Sequence, residues 1–229
     1  MALNKSKVLG IAAALAVAVA VALGLAQVFL PGIAAQRIRD SVGRFGIVKS
    51  VNVQAWPAVE LLWGQADSVT VRAASLDMNA EQSAQMLEEA RGVSEMHFTA
   101  DSSHEGPLQL RDVSLNKRGN VLRVEARLSQ SDAQAALPPG FDMRLVGSEG
   151  GEVKVLASGR LFGVGASIEA VARAEDGKLV VRPTGFPLDA VGLTLFSNPH
   201  IRVDGVGVRA GIGPEGSSSY WLTMTGSLH

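Results

Sequence analysis

The sequence predicts an α+β domain, mostly antiparallel sheet, that follows one long apolar helix at the N-terminus. Three observations support this. Residues 8–30 are apolar apart from Gln27. From residue 48 onward most segments alternate apolar and polar side chains, the period of a half-buried strand. Only two or three stretches carry helical periodicity. The chain has 229 residues and no cysteine, which excludes disulfides, thiolate chemistry and a lipidated N-terminal cysteine. Its net charge is −1, and its basic residues are dispersed without interleaved aromatics, so no nucleic-acid footprint is expected.

The segment 8–30, as a helix, reaches roughly 35 Å at about 1.5 Å per residue, enough for a bilayer core. Residues 1–7 form a short basic tail with Lys5 and Lys7. The apolar run is longer than a signal-peptide core of about 7–15 residues. An uncleaved anchor is therefore the expectation, and the small residues of "GIAAQ" keep a cleaved signal as the alternative. Arg37, Arg39, Arg44 and Lys49 follow the run, so the positive-inside rule does not set the topology. Residues 32–229 then form a single domain.

Ile33–Phe45 places Ala34, Ile38, Val42 and Phe45 on one helical face, with Gly46 as a stop. In the strand from Val48, Val51, Val53 and Ala55 point one way, and Asn52, Gln54 and Trp56 the other. Pro57–Trp63 reads as a short helical turn closed by Gly64. Another strand carries Val69 and Val71. Asn79–Ala90 is the best helix of the body, with Asn79 and Gln82 as a capping box and Ala80, Ala84, Met86, Leu87 and Ala90 as its stripe. Gly92 should end it.

Strands follow at Met96–Phe98, then on both sides of the hairpin signal "NKRGN", where Leu122, Val124, Ala126 and Leu128 share a face. Ser131–Leu137 is a short helix, stopped by Pro138-Pro139. Further strands cover 143–146, 153–161, 164–174 and 178–182, with turns at "SEGG", "FGVG" and "EDG". A last pair spans 201–212 and 220–228. Eight to ten strands present more apolar face than two amphipathic helices cover. The sheet must curl on itself, pack as a sandwich, or leave a groove for an apolar ligand.

Polar chemistry is sparse. His97, His104, His200 and His229 lack metal-ligand spacing. Ser102, Ser103 and His104 lack a nucleophile elbow. Glu88-Glu89 and Glu175-Asp176 read as a solvated helix face and a turn. "FGVG" and "GVGVRAGIG" do not sit between a strand and a helix as a phosphate loop does. No catalytic residue, metal site or cofactor is expected. The apolar features are stronger. Trp56, Leu61, Leu62 and Trp63 surround Pro57 and have two readings: a plug folded under the sheet, or a lip that touches lipid. Met86, Met96, Met143 and Met224 suit either a core or an adaptable lipid lining.

The stretch "IVKSVNVQAWPAVELLWGQADSVTVRAASL" resembles the LmeA-like family of actinobacterial envelope proteins. It has a strand, an aromatic-Pro turn at Trp56-Pro57, Leu61-Leu62-Trp63-Gly64, and a valine strand with Val69 and Val71. "DGKLVVRPTG" fits the second half of that family. The resemblance implies binding of phospholipid or glycolipid outside the plasma membrane. It also implies a half tubular lipid-binding module, a strongly curved antiparallel sheet wrapped around one or two helices. It brings no catalytic residues.

The expected groove is lined by Leu61, Leu62, Trp63, Val69, Val71, Met86, Leu87, Met96, Phe98, Leu122, Val124 and Met224. Arg37, Arg39 or Arg72 could meet a headgroup phosphate. The expected function is envelope lipid transfer or maturation by a single-pass protein of the plasma membrane whose C-terminal domain is extracytoplasmic. The alternative is a tethered, non-catalytic interaction domain of the envelope.

Overall fold

The computed structural model describes residues 5–105, 108–135, 137, 140–161, 164–184, 192–214 and 216–229. The expected stop at Pro138-Pro139 and the first half of the "FGVG" turn lie outside them.

The first element, α1 (Lys5–Gly43), is one helix with Pro31 inside it. The sequence reads as two segments, 8–30 and Ile33–Phe45, and Pro31 between them lacks the N–H that bonds one turn back. The helix continues because its C-terminal half is packed along its length. Val42 is almost fully buried, and Ala34, Ala35 and Ile38 lie against the same core. The small side chains of "GIAAQ" thus bring the helix close to the sheet.

Twelve strands are described, in two open sheets. The larger sheet begins with β1 (Gly46–Gln54) and β2 (Ala66–Asp77), an antiparallel pair joined by the loop 55–65. Then α2 (Ala80–Glu89) crosses the sheet and delivers β3 (Val93–Glu105) parallel to β2. This corrects the purely antiparallel expectation. Alternation shows which face a strand buries but not its direction, and a crossover helix is the ordinary link between parallel neighbours. The expected capping box of α2 is present: the Asn79 side chain accepts from the Gln82 N–H, and the Gln82 side chain accepts from the Asn79 N–H.

The chain continues antiparallel through β4 (Leu108–Arg118) and β5 (Val121–Ser129), joined at Gly119-Asn120. Next, α3 (Gln130–Ala135) leads to a second sheet. Its strands are β6 (Phe141–Glu149), β7 (Glu152–Leu161), β8 (Val164–Glu175), β9 (Lys178–Thr184) and the short β10 (Leu193–Phe196). The sequence reading lacks β10, whose four residues are too few to show a period. The chain then returns to the larger sheet as β11 (Ile201–Ile212) and β12 (Ser218–Leu228), with β12 beside β5. The strand orders are β1-β2-β3-β4-β5-β12-β11 and β10-β9-β8-β7-β6.

Neither sheet is closed or strongly curled, which differs from the wrapped sheet that the family resemblance implies. The physical reason is the division of the strands. The second sheet meets the first along β11, where the Val208 N–H donates to Ser148 Oγ of β6 at 3.0 Å. Apolar surface that one curled sheet would cover by wrapping is covered in part by α1 and α2 instead.

The main core lies between α1, the loop 55–65 and the inner face of β1–β4. It contains Val42, Val53, Val69, Val71, Ala73, Met96, Phe98 and Ala100. A smaller cluster joins Ala84 and Leu87 of α2 to Leu122, Ile201 and Leu228. In the second sheet, Glu175 accepts two hydrogen bonds from Arg182, at 2.7 and 3.0 Å, and one from Arg173 at 3.4 Å. The Arg182 hydrogen bonds hold the Glu175 carboxyl below its ordinary value of 4.5, against a smaller opposing push from desolvation, and the charges of Arg182 and Arg173 add to this. A folded-state pKa below the unfolded one contributes stability above the unfolded value, and this is lost as pH falls through the folded value. Glu175→Gln should therefore lower the thermal midpoint at neutral pH, with the difference from wild type vanishing in acid. Parallel melting curves from pH 7 downward check this.

Candidate functional site

Two apolar features stand out. The first is the loop between β1 and β2. Its Ala58–Trp63 segment is a 3₁₀ turn, closed by Gly64 in the left-handed region at φ 72°. That turn follows from the sequence: Pro57 opens it, and Gly64 adopts a conformation that a side chain disfavours. The loop is firmly held. Gln27, the polar residue of the apolar run, bridges α1 to it: Nε2 donates to the Ala55 carbonyl at 2.9 Å, and Oε1 accepts from the Ala58 N–H at 2.7 Å. The Trp56 N–H donates to Asp67 Oδ2 at 2.7 Å. Gly92 approaches so closely that a Cβ there would lie 2.2 Å from the Gly64 carbonyl oxygen. Ala58 is buried and Leu61 packs on the core. Trp56, Leu62 and Trp63, however, are 74%, 66% and 70% exposed. The loop is thus tucked against the core at Ala58 and Leu61 and exposed at Trp56, Leu62 and Trp63.

The second feature is a row of apolar residues in register across the larger sheet: Val51, Val71, Phe98, Leu115, Val124, Met224 and Val206. Val71 and Phe98 are buried. From Leu115 to Val206 the row is only half-buried. Ala126, Leu222 and Val208 form a parallel row on the same face, two residues further along. Leu222 and Val208 are also half-buried.

The residues expected to line a groove therefore fall into four places. Val69, Val71, Met96 and Phe98 belong to the filled core, and Leu61 and Met86 pack on its edge. Leu87 and Leu122 meet in the smaller cluster. Val124 and Met224 are opposite each other in the half-buried row. Leu62 and Trp63 point away from all of these, into the surroundings. The structure does not bring the twelve together around one opening. Val206, Leu222 and Val208 were missed by the sequence reading. Their signal was the alternation in 201–212 and 220–228, but the glycines of β11 dilute it.

Polar chemistry remains scattered. Among the described residues no group of three His, Cys, Asp or Glu is placed to hold a metal ion. His97 pairs with Asn116, and His200 with Glu88. Arg37, Arg39 and Arg72 are exposed, the first two on α1 and Arg72 on the outer face of β2. Lys117 is the unusual group. It is buried on the inner face, in register with Met96 and Leu122, and its ammonium donates to the Val93 carbonyl. Burial pushes its pKa below the ordinary lysine value. An open hollow of about 430 Å³ lies elsewhere, lined by Asp176, Lys178, Asn198, Ile201, Arg202 and His229 among others.

Residues 21–212 match the family model described as LmeA-like phospholipid-binding, so the chain belongs to that family, a lipid-binding one. No curated protein and no solved structure matches it.

Proposed function

From its place in a phospholipid-binding family, we propose that this protein is anchored in the plasma membrane by α1 and binds phospholipid or glycolipid on its extracytoplasmic domain. Acyl chains would lie along the half-buried row Leu115, Val124, Met224 and Val206, and the role would be envelope lipid transfer or maturation. The observation that carries this reading is the row itself: apolar side chains in register that the helices leave half-covered. Transfer of acyl chains from water to such a surface is worth about 0.8 kcal/mol per methylene, so affinity needs no catalytic group.

Two packing facts support retention of α1 as an anchor. Gln27 is hydrogen-bonded into the domain, and Ala34 and Ala35, beside which a signal peptidase would cut, pack against its core. Among the described residues, one stretch long and apolar enough to cross a membrane, Ala20–Gly43, lies in this helix.

The test is photolabelling of the full chain in vesicles containing a phospholipid with a diazirine in mid-chain. Crosslinks on peptides of β5, β11 and β12 are expected, and the mass of the crosslinked adduct reports the lipid. Crosslinks restricted to α1 and the loop 55–65 would sink the row as a lipid site. They would favour instead the tethered interaction domain, a reading supported by the burial of Val71 and Phe98 in the core.

A further inference from the structure

We propose that the loop 55–65 and α1 form one membrane-docking face, with Trp56, Leu62 and Trp63 immersed in the interface of the bilayer that α1 crosses. The body then rests on the membrane in a set orientation instead of swinging on a tether. This rests on α1 being the anchor, and not on the body carrying lipid.

Four observations lead to it. The exposed side chains are large and apolar, and two of them are tryptophans, whose rings favour the headgroup region of a bilayer. They stand on a loop fixed by Gln27, by Asp67 and by the approach of Gly92, so they cannot fold back to hide. On α1, Leu23, Leu25, Val28 and Phe29 flank the Gln27 bridge to the loop and are also exposed. Finally, the depth agrees. About 20 helical residues cross a hydrocarbon core of ~30 Å. Counted from Val8, just after Lys5 and Lys7, that length ends at Gln27, the residue to which the loop is bonded. Gln27 would otherwise be an amide at the hydrocarbon boundary. Here both of its polar ends are satisfied by the loop, and the loop is thereby held at that level.

The experiment uses the full chain with Trp221→Phe, so that Trp56 and Trp63 are the remaining fluorophores. It is reconstituted in phosphatidylcholine–phosphatidylglycerol vesicles carrying bromines at shallow or deep acyl positions. The expected result is blue-shifted emission, most of it lost with shallow bromines and less with deep ones, and little quenched by aqueous acrylamide. Emission at the aqueous wavelength, open to acrylamide and indifferent to bromines in vesicle-bound protein, would overturn the proposal. The complementary chain, Trp56→Phe with Trp63→Phe, keeps Trp221 as a control, which should ignore the bromines.

Gln27→Leu should leave flotation with vesicles intact while reducing the shallow quenching. Unchanged quenching would remove Gln27 from the device. Flotation reports α1 and quenching reports the docking face. Photolabelling of β5, β11 and β12 separately reports a lipid site in the body, so failure of one reading is not failure of the other.

Discussion

Phe98→Ala is expected to destabilise the domain by about 3–5 kcal/mol, the range for truncating a buried phenylalanine. Phe98 is only 8% exposed and lies in register between Val71 and Leu115, in the core of the larger sheet. Its neighbours belong to different layers, since Val42 of α1 shares the cluster with strands β1–β3. Because no single element can shift to close the gap, the cavity should persist and the cost should fall in the upper part of the range. A domain typically has about 5–15 kcal/mol in hand, so much of it would go. Urea titration of the full chain in lipid nanodiscs, with hydrogen exchange followed in β2, β3 and β4, measures the loss. A change within about 0.5 kcal/mol, as at an ordinary surface position, would show that Phe98 lines an adaptable space. The groove expected from the sequence would then reach it after all.

Met224→Glu should reduce photolabelling of β5, β11 and β12 by roughly tenfold or more while the protein remains folded. Loss of contact with only two methylenes is worth about 1.6 kcal/mol, slightly more than a factor of ten in affinity. The carboxylate is tolerated in the fold because Met224 is half-buried and has access to water. Its partners in register, Val124 and Val206, are half-buried too. Leu62→Lys is the contrasting variant: it should leave this labelling unchanged, since Leu62 faces away from the row. Met86→Lys is less informative, because Met86 packs on the main core and a charge there acts first on folding. Equal labelling in Met224→Glu and wild type would remove the row from the proposed lipid site.

The lipid-binding reading depended on the sequence in an uneven way. Trp56, Leu62 and Trp63 were conspicuous as apolar residues around a proline, and the structure leaves them exposed. Val69, Val71, Met96 and Phe98 were equally apolar, and the structure buries them. No sequence period separates a side chain that lines a groove from one that fills a core, because both need the same face of the same strand. The division arises from what lies above that face. Over β1–β3 it is α1 and the loop, brought there by the Gln27 bridge and by the small side chains Ala34 and Ala35. Over β12 and β11 the cover is thinner.

The sequence by itself determined the local devices: the capping box at Asn79 and Gln82, the turn closed by Gly64, the inward faces of β1 and β5, and an apolar helix long enough to cross a membrane. Each depends on residues a few positions apart, and near neighbours are enough to specify it. Only the tertiary structure decided that α1 runs unbroken through Pro31, that β3 lies parallel to β2, that the strands divide into two sheets, and that Gln27 holds the tryptophan loop against the helix. These depend on contacts between residues far apart in the chain, where packing outweighs the propensity of any one segment.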